Sequence, residues 1–107
     1  MVFNTGAALL DAVVLAVVGK EDDGTYGYKI TQDVRKVLDI SESTMYPVLR
    51  RLQKDGCLST YDQEFGGRNR RYSKITEQGQ AQLRLYRIEW KNYAAKINRL
   101  FDEEEGI

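Results

Sequence analysis

The sequence predicts a mostly α-helical α+β fold with three helices, a two-stranded hairpin and a long final helix. Two observations lead to this prediction. Three segments carry apolar residues at helical spacing, and after Gly56 the spacing changes to that of short strands on either side of a glycine pair. The last part of the 107-residue chain then returns to helical spacing. We find no internal repeat and no linker, so one compact unit is expected.

The first predicted helix covers about Gly6 to Val18 and is apolar on more than one face. It is too short to cross a bilayer, which takes about 20 residues, and Asp11 interrupts it. Neither a basic segment before it nor a cleavage pattern after it indicates a signal peptide. A helix that is apolar nearly all round needs two partners, so we expect it to contact its own core and a second subunit. The following segment, Gly19 to Thr25, predicts a polar turn.

The second and third helices are predicted from about Tyr28 to Leu38 and from Ser41 to Gly56. Ser41 or Ser43 can cap the third helix, and Gly56 suits the position just past its end. Pro47 conflicts with this helix because it has no amide hydrogen to donate, so we expect a kink or a late start there. The inward stripe of the third helix is Met45, Val48, Leu49 and Leu52.

The strand-like segments, Cys57–Phe65 and Arg68–Ile75, predict a hairpin around Gly66-Gly67. Thr76 is a candidate cap for the final helix. Apolar residues of that helix recur at alternating intervals of three and four, which is the spacing of a coiled-coil seam. The seam consists of Leu83, Tyr86, Trp90, Tyr93, Ile97 and Leu100. A lone helix would expose this strip, so the sequence predicts a homodimer whose interface also includes Leu10 and Val14 of the first helix. The alternative is that part of the strip packs within the chain against the first helix.

The composition argues against several classes of function. Histidine is absent, which removes Ser/His/Asp and Cys/His catalysis and most transition-metal sites. The single cysteine, Cys57, cannot form an intrachain disulfide, and we expect it to pack as a small apolar side chain in a cytoplasmic protein. We therefore expect neither an enzyme nor a bound metal or cofactor, and no membrane partner.

Basic residues are concentrated in the middle of a chain whose formal net charge is zero. Residues 41–75 carry 7 basic and 4 acidic side chains, a net charge of +3, whereas residues 1–40 carry −2 and residues 76–107 carry −1. Three helices followed by a hairpin describe a winged helix-turn-helix, in which the third helix enters the DNA major groove and the hairpin lies along the flanking backbone. The cations fall on those two elements, so double-stranded DNA is the predicted partner.

The candidate DNA-binding residues lie at the start of the second helix, on the outward face of the third helix and on the hairpin. They are Tyr28, Lys29, Ser43, Thr44, Tyr46, Arg50, Arg51, Lys54, Arg68, Arg70, Arg71 and Lys74. Short hydroxyl side chains allow close approach to phosphate or base edges, and arginine suits bidentate contacts. Two alternatives stay open: Tyr46 can pack on the second helix instead, and the hairpin cations can be solvating charges.

These blocks resemble the PadR family of bacterial transcriptional regulators, specifically its short-chain branch, over nearly the full length. The matching pieces are Tyr26-Gly27-Tyr28, Ser43 to Leu58, Gly66 to Gly79 and the single C-terminal helix. The resemblance implies a homodimeric repressor that uses its first and last helices as the dimer interface. Residues 1–75 would form the DNA-binding domain, and residues 76–107 the dimerisation helix with an acidic tail. The acidic loop KEDDG departs from the family pattern.

Trp90 is the only tryptophan and lies in the middle of the seam. In a two-fold dimer, Trp90 of each chain can face one central cavity, with Tyr86 and Tyr93 a turn away on either side. Facing rings can sandwich a planar aromatic compound, and Glu89, if it turns inward, would favour cationic ones. The resemblance agrees, because some short PadR-like regulators take planar drug-like molecules beside a tryptophan of the last helix. Alternatively, Trp90 fills the interface by packing.

The leading hypothesis is thus a sequence-specific DNA-binding regulator that acts as a homodimer on a palindromic operator and responds to a ligand. The alternative is a winged helix that serves as a protein-interaction module without specific DNA binding. An interaction module needs an apolar patch on the third helix, whereas the outward face of this helix is polar and cationic.

Overall fold

The chain is described here by a computed structural model that covers residues 6–103, the last of these by its backbone only. In chain order, its elements are helix α1 (Ala7–Gly19), strand β1 (Thr25–Tyr26), helix α2 (Gly27–Val34), helix α3 (Glu42–Lys54), strand β2 (Leu58–Phe65), strand β3 (Arg68–Ile75) and helix α4 (Glu77–Glu103). The predicted fold class is confirmed: a helix-turn-helix, a β wing and a long C-terminal helix. Of the predicted acidic tail, Asp102 to Glu105, the first two residues belong to α4 and the other two lie outside the described residues.

Helix α3 begins at Glu42, one residue after its cap. The Ser41 hydroxyl accepts a hydrogen bond from the Thr44 amide at 3.3 Å, so Ser41 rather than Ser43 caps the helix. Pro47 lies inside the helix, which begins at Glu42 and runs on to Lys54. Of the two expected outcomes, the late start is therefore wrong and the kink stays a prediction. The cost of Pro47 is one missing helical hydrogen bond, to the carbonyl group of Ser43.

Helix α2 is shorter than the spacing of apolar residues predicted. It ends at Val34, and the amide groups of Val37 and Leu38 both donate to the Val34 carbonyl in a tightened turn. Leu38 and Ile40 still pack against the core from this turn, whereas Val37 is 69% exposed. The apolar positions therefore continue beyond the helix because the turn, and not a further helical segment, carries them.

Strand β1 was missed by the sequence prediction, which placed Thr25 in a polar turn. It pairs antiparallel with β3, with Thr25 opposite Ser73 and Tyr26 opposite Tyr72, and gives a three-stranded sheet in the order β1-β3-β2. Two residues are too few to show an alternating pattern, so only the pairing reveals the strand. The strand ties the start of α2 directly to the wing.

The predicted hairpin is confirmed, and its turn is a two-residue loop. Phe65 and Arg68 are the last paired residues, and Gly66 and Gly67 have φ angles of 59° and 80°. Two successive positive φ angles match a type I′ turn, which suits the right-handed twist of paired strands and strongly favours glycine. The turn thus places the wing strands in one register.

The core is built by α1, α2, α3, the base of the wing and the start of α4. Its buried apolar residues are Val14, Leu15, Val18, Ile30, Val34, Met45, Val48, Leu52, Cys57, Leu58 and Leu83. Cys57 packs as predicted, and burial is the main cause that raises the pKa of its thiol. Val14 and Leu83 were predicted at a subunit interface, but they are 0% and 7% exposed within one chain. This burial supports the alternative that part of the strip packs within the chain, since α1 and α4 both contribute to one core.

Helix α4 is anchored at its start and extends beyond the body of the domain. The Thr76 hydroxyl accepts a hydrogen bond from the Gly79 amide at 3.0 Å and donates one to the Gly56 carbonyl at 2.6 Å, which confirms the predicted cap. A Cβ atom on Gly79 would collide with the Cys57 carbonyl, so α4 starts in close contact with the chain before β2. The molecule measures 64 × 26 × 21 Å, and 27 helical residues span about 40 Å of that length.

Candidate nucleic-acid interface

The outward face of α3 carries the predicted polar and basic residues. Ser43, Thr44, Tyr46, Arg50 and Lys54 are all exposed, whereas Met45, Val48 and Leu52 on the opposite side are buried. Helical spacing accounts for this division, since the two sets follow separate faces of one helix. The helix therefore presents hydroxyl groups, one phenol ring and cations to its surroundings.

Tyr46 connects this face to the start of α2. A Cβ atom on Gly27 would lie 3.1 Å from Cε1 of Tyr46, so the ring packs closely on the first residue of α2. The same ring is 44% exposed, and the neighbouring Tyr28 is 56% exposed. The two alternatives for Tyr46 are thus compatible, because packing on α2 still leaves much of the ring accessible.

Lys29 points towards the acidic loop before β1. Its ammonium group forms an ion pair with Glu21 at 2.5 Å, and this hydrogen bond is the main cause that raises the pKa of Lys29. Both side chains are more than a third exposed, so the pair contributes little to stability. A phosphate contact by Lys29 would have to compete with Glu21.

The hairpin cations fall on two faces of the sheet. Arg70 lies between two rings, with its guanidinium carbon 4.2 Å from the centroid of Tyr26 and 4.6 Å from that of Phe65. Arg71 points to the other face, where its Nε donates to Asp62 at 3.4 Å in an exposed pair. Arg68 and Lys74 are exposed near the turn and near the base of the wing.

Arg51 has a different environment from the other predicted DNA-binding residues. Its guanidinium donates to the carboxylate of Asp11 in α1, which is 8% exposed. Burial raises the pKa of Asp11, and the adjacent Arg51 opposes that effect. Because its charge already has an acidic partner, Arg51 joins α3 to α1 as well as facing solvent on one side.

Two adjoining grooves bring five of the predicted residues together. One groove, between α3 and the wing, is lined by Gly27, Tyr46, Leu49, Arg50, Gln53, Thr60, Arg71 and Ser73. The other is lined by Tyr26, Gly27, Tyr28, Tyr46, Arg70 and Arg71. We call the surface formed by Tyr28, Tyr46, Arg50, Arg70 and Arg71 the basic groove. Ser43, Thr44, Lys54, Arg68 and Lys74 are exposed but do not line either groove.

Sequence reasoning missed three members of this region. Gln53 lies one helical turn after Arg50, and that spacing alone could have identified it. Tyr26 and Phe65 contact Arg70 from the two strands that flank β3, which becomes visible only when the strand register is known.

Among residues 6–103, no group of three or more Cys, Asp or Glu side chains is arranged to hold a metal ion.

The predicted ligand residues lie along α4. The rings of Trp90 and Tyr93 are 6.1 Å apart at an angle of 40°, and Trp90 is 43% exposed. Tyr86 packs partly on the core, and burial is the main cause that raises the pKa of its hydroxyl. Glu89 and Ile97 are partly exposed, Leu10 packs partly on the core, and Leu100 is 66% exposed. The sequence prediction missed further exposed apolar residues of α4, namely Leu85, Ile88 and Phe101.

Across residues 6–103, no helix has both the length and the apolar character needed to cross a bilayer.

The chain has relatives of known structure. Residues 14–85 match the transcriptional regulator PadR-like family. A Streptococcus mutans protein, smu.1704, is 38% identical, with a TM-score of 0.84 over 95% of this chain and 94% of the other. A PadR-like transcriptional regulator from Bacillus cereus is 26% identical, with a TM-score of 0.80 over 91% and 95% of the two chains. Bacillus subtilis PadR, solved in complex with operator DNA, is 21% identical and shares the fold. Its TM-score is 0.67 over 75% of this chain and 47% of the PadR chain.

Proposed function

The chain belongs to the transcriptional regulator PadR-like family, a family of regulators and not of enzymes, and we propose that it acts as a homodimeric repressor that binds a palindromic operator. Helix α3 enters the major groove, and the wing lies along the flanking phosphates. The two recognition helices of the dimer bind half-sites one helical turn apart, about 34 Å. Effector binding at the dimer interface changes that separation and thereby changes the affinity for DNA.

One observation carries this proposal: cations from two separate segments of the chain come together around two adjoining grooves. Arg50 comes from α3, and Arg70 and Arg71 come from β3, yet all three line adjoining grooves around Tyr46. The formal charge of the whole chain is zero, so this concentration of cations is local. A local basic surface beside a recognition helix is the pattern expected for contacts with the DNA backbone.

The homodimer is supported by the exposed apolar residues of α4. Leu85, Ile88, Leu100 and Phe101 are each more than half exposed in the single chain. The radius of gyration is 16.2 Å, whereas a compact chain of this length has about 13 Å. An extended helix with a long apolar surface is expected to bury that surface against a second copy.

A ligand site at the dimer centre is the finer part of the proposal. Trp90 and Tyr93 lie next to each other on α4 and present an aromatic surface, with the partly exposed Glu89 nearby. Two copies of this surface, facing each other, would bind a planar aromatic compound by stacking, and a carboxylate at its edge would favour a cationic one.

The proposal is tested by the salt dependence of binding to a duplex from upstream of the gene. If each subunit contacts about four phosphates, log K falls against log salt with a slope near −7. Arg71→Ala should weaken binding to all duplexes equally and make the slope shallower by about two units, one for each subunit. Arg50→Ala should instead relax the preference among sequences.

Lys20→Ala is the matched control, because Lys20 is an exposed cation that follows α1 and lines neither part of the basic groove. This variant should bind DNA as the parent chain does. Equal losses for Lys20→Ala and Arg71→Ala would show that the cations act only through total charge. Unchanged binding by the Arg71 and Arg50 variants would contradict the proposed interface.

A further inference from the structure

The wing holds one of its arginines between two aromatic rings. We propose that Tyr26 and Phe65 position Arg70 for phosphate contact, so that its guanidinium is already held in the binding geometry before DNA arrives. This proposal rests on the proposed function, because it gives supporting roles to residues beside the basic groove. It makes Tyr26 and Phe65 positioning residues, which act on DNA through Arg70.

The strand register explains why these three side chains meet. Tyr26 pairs with Tyr72, and Phe65 pairs with Arg68, so Arg70 lies two residues from each of these pairing positions along β3. Residues two apart in a strand share a face of the sheet, and diagonal neighbours on paired strands lie within reach of long side chains. Arg70 therefore has one aromatic neighbour on β1 and another on β2.

The sandwich belongs to a longer aromatic stack on the outer face of the sheet. Tyr26 meets Tyr72 edge to face, with centroids 5.6 Å apart, and Tyr72 stacks on Tyr61 at 5.4 Å and 15°. The Tyr61 hydroxyl donates to the Asp23 carbonyl, which belongs to the turn before β1. The stack thus extends from the wing to the segment that leads into α2, and it fixes the ring of Tyr26.

A sandwiched arginine keeps its hydrogen-bonding capacity. Rings that stack on the two faces of a guanidinium leave the N–H groups at its edge uncovered, and these are the groups that bind phosphate. Arg70 lines the groove that also includes Tyr28 of α2 and Tyr46 of α3, so its side chain lies near both helices. Arg68 and Arg71 are both exposed, whereas Arg70 is half-buried. The structure therefore distinguishes Arg70 as the preorganised cation of the wing.

Preorganisation predicts a specific pattern of binding losses. Phe65→Ala should lower affinity by about three-fold per wing, and by about ten-fold for a dimer with two wings, which is the size expected for an exposed cation–π contact. The salt slope should stay the same, because the number of phosphate contacts does not change. Arg70→Lys keeps the charge but loses the planar stacking group, so it should resemble Phe65→Ala.

A double-mutant cycle tests whether Phe65 acts through Arg70. Phe65 is 60% exposed and lies outside the core, so Phe65→Ala should leave the melting temperature almost unchanged. Binding of the variants to the same duplex is measured by fluorescence anisotropy at several salt concentrations. The proposal expects that Phe65→Ala has no effect in an Arg70→Ala background and its full effect in a Lys74→Ala background, which is the matched control.

A second measurement needs no DNA. Relaxation of the Arg70 Nε–H group by nuclear magnetic resonance should show a more mobile side chain in Phe65→Ala than in the parent chain. Equal losses from Phe65→Ala with and without Arg70, or unchanged binding and mobility, would overturn the positioning role and leave the proposed function intact. A parent chain that binds no duplex would overturn both proposals.

Discussion

At the scale of single residues, charged side chains of α3 have separate roles although the sequence places them side by side. Arg50 lines the groove towards the wing, whereas its neighbour Arg51 reaches Asp11 on α1. Successive residues of a helix point about 100° apart, so this division follows from geometry. The ion pair joins α3 to α1, and substitutions at Asp11 and Arg51 can measure its contribution to the free energy of unfolding.

The Asp11–Arg51 pair predicts an unequal response to the loss of each partner. Burial raises the pKa of Asp11 above its ordinary value of 3.8 despite the attraction of Arg51, so ionisation of this carboxyl group opposes folding. Its contribution to stability is complete below pH 3.8 and is lost as the pH rises through the raised pKa. Asp11→Asn should remove this loss, so the variant gains stability relative to the parent chain between pH 4 and 7.

Arg51→Ala should be destabilising at neutral pH because it leaves a largely buried carboxylate without its cation. The loss should be smaller than the roughly 3–5 kcal/mol of a fully buried pair, since the Arg51 side chain is 46% exposed. It should also raise the pKa of Asp11 further. Urea unfolding of the parent chain and both variants, at pH values from 4 to 7, measures the free energies of unfolding. If Asp11→Asn is the more damaging substitution at pH 7, the ion pair stabilises the fold more than burial opposes it.

At the scale of whole elements, long helices and the hairpin could be predicted from the sequence, and the contacts between elements could not. The three-and-four spacing of α4 and the glycine pair of the wing are local signals that the structure follows. Strand β1 has only two residues, and its existence depends on pairing with β3, about 47 positions later in the chain.

The same limit applies to the apolar residues of the predicted dimer interface. The spacing of apolar residues shows that Val14 and Leu83 lie on apolar faces but does not show which partner covers them. In the structure they are buried against the rest of the same chain. The sandwich of Arg70 was also invisible in the sequence, because its two aromatic partners lie 44 and 5 positions away.

Helix α4 carries a prediction about the proposed ligand site. Flat cationic dyes should quench the emission of Trp90 in a saturable way, at one dye or fewer per chain, because stacking brings the dye into contact with the indole ring. Trp90→Ala should abolish dye binding but leave the oligomeric state largely unchanged. Phe101→Ala is the matched control, since it removes an exposed ring elsewhere on α4. If a broad panel of planar dyes leaves the emission unchanged, Trp90 has only a packing role.

At the scale of the whole molecule, the basic groove lies on the domain formed by α1 to β3, and α4 extends beyond that domain. The longest dimension, 64 Å, is more than twice either of the other two. If α3 is the recognition helix, as proposed, a single chain offers one such helix and can bind one half-site. Pairing through α4 would supply a second recognition helix in a two-fold arrangement, and the operator would mirror that symmetry.

The most direct test of this account is a selection of bound sequences from a random pool of duplexes by the parent chain. The account predicts an enriched palindrome with two half-sites centred about 10 base pairs apart. The triple variant Arg50→Ala/Arg70→Ala/Arg71→Ala should enrich none, while sedimentation at micromolar concentration shows the same dimer for both proteins. An unenriched pool from a correctly folded, dimeric parent chain would contradict sequence-specific DNA binding. A single asymmetric half-site from a monomer would contradict the homodimer.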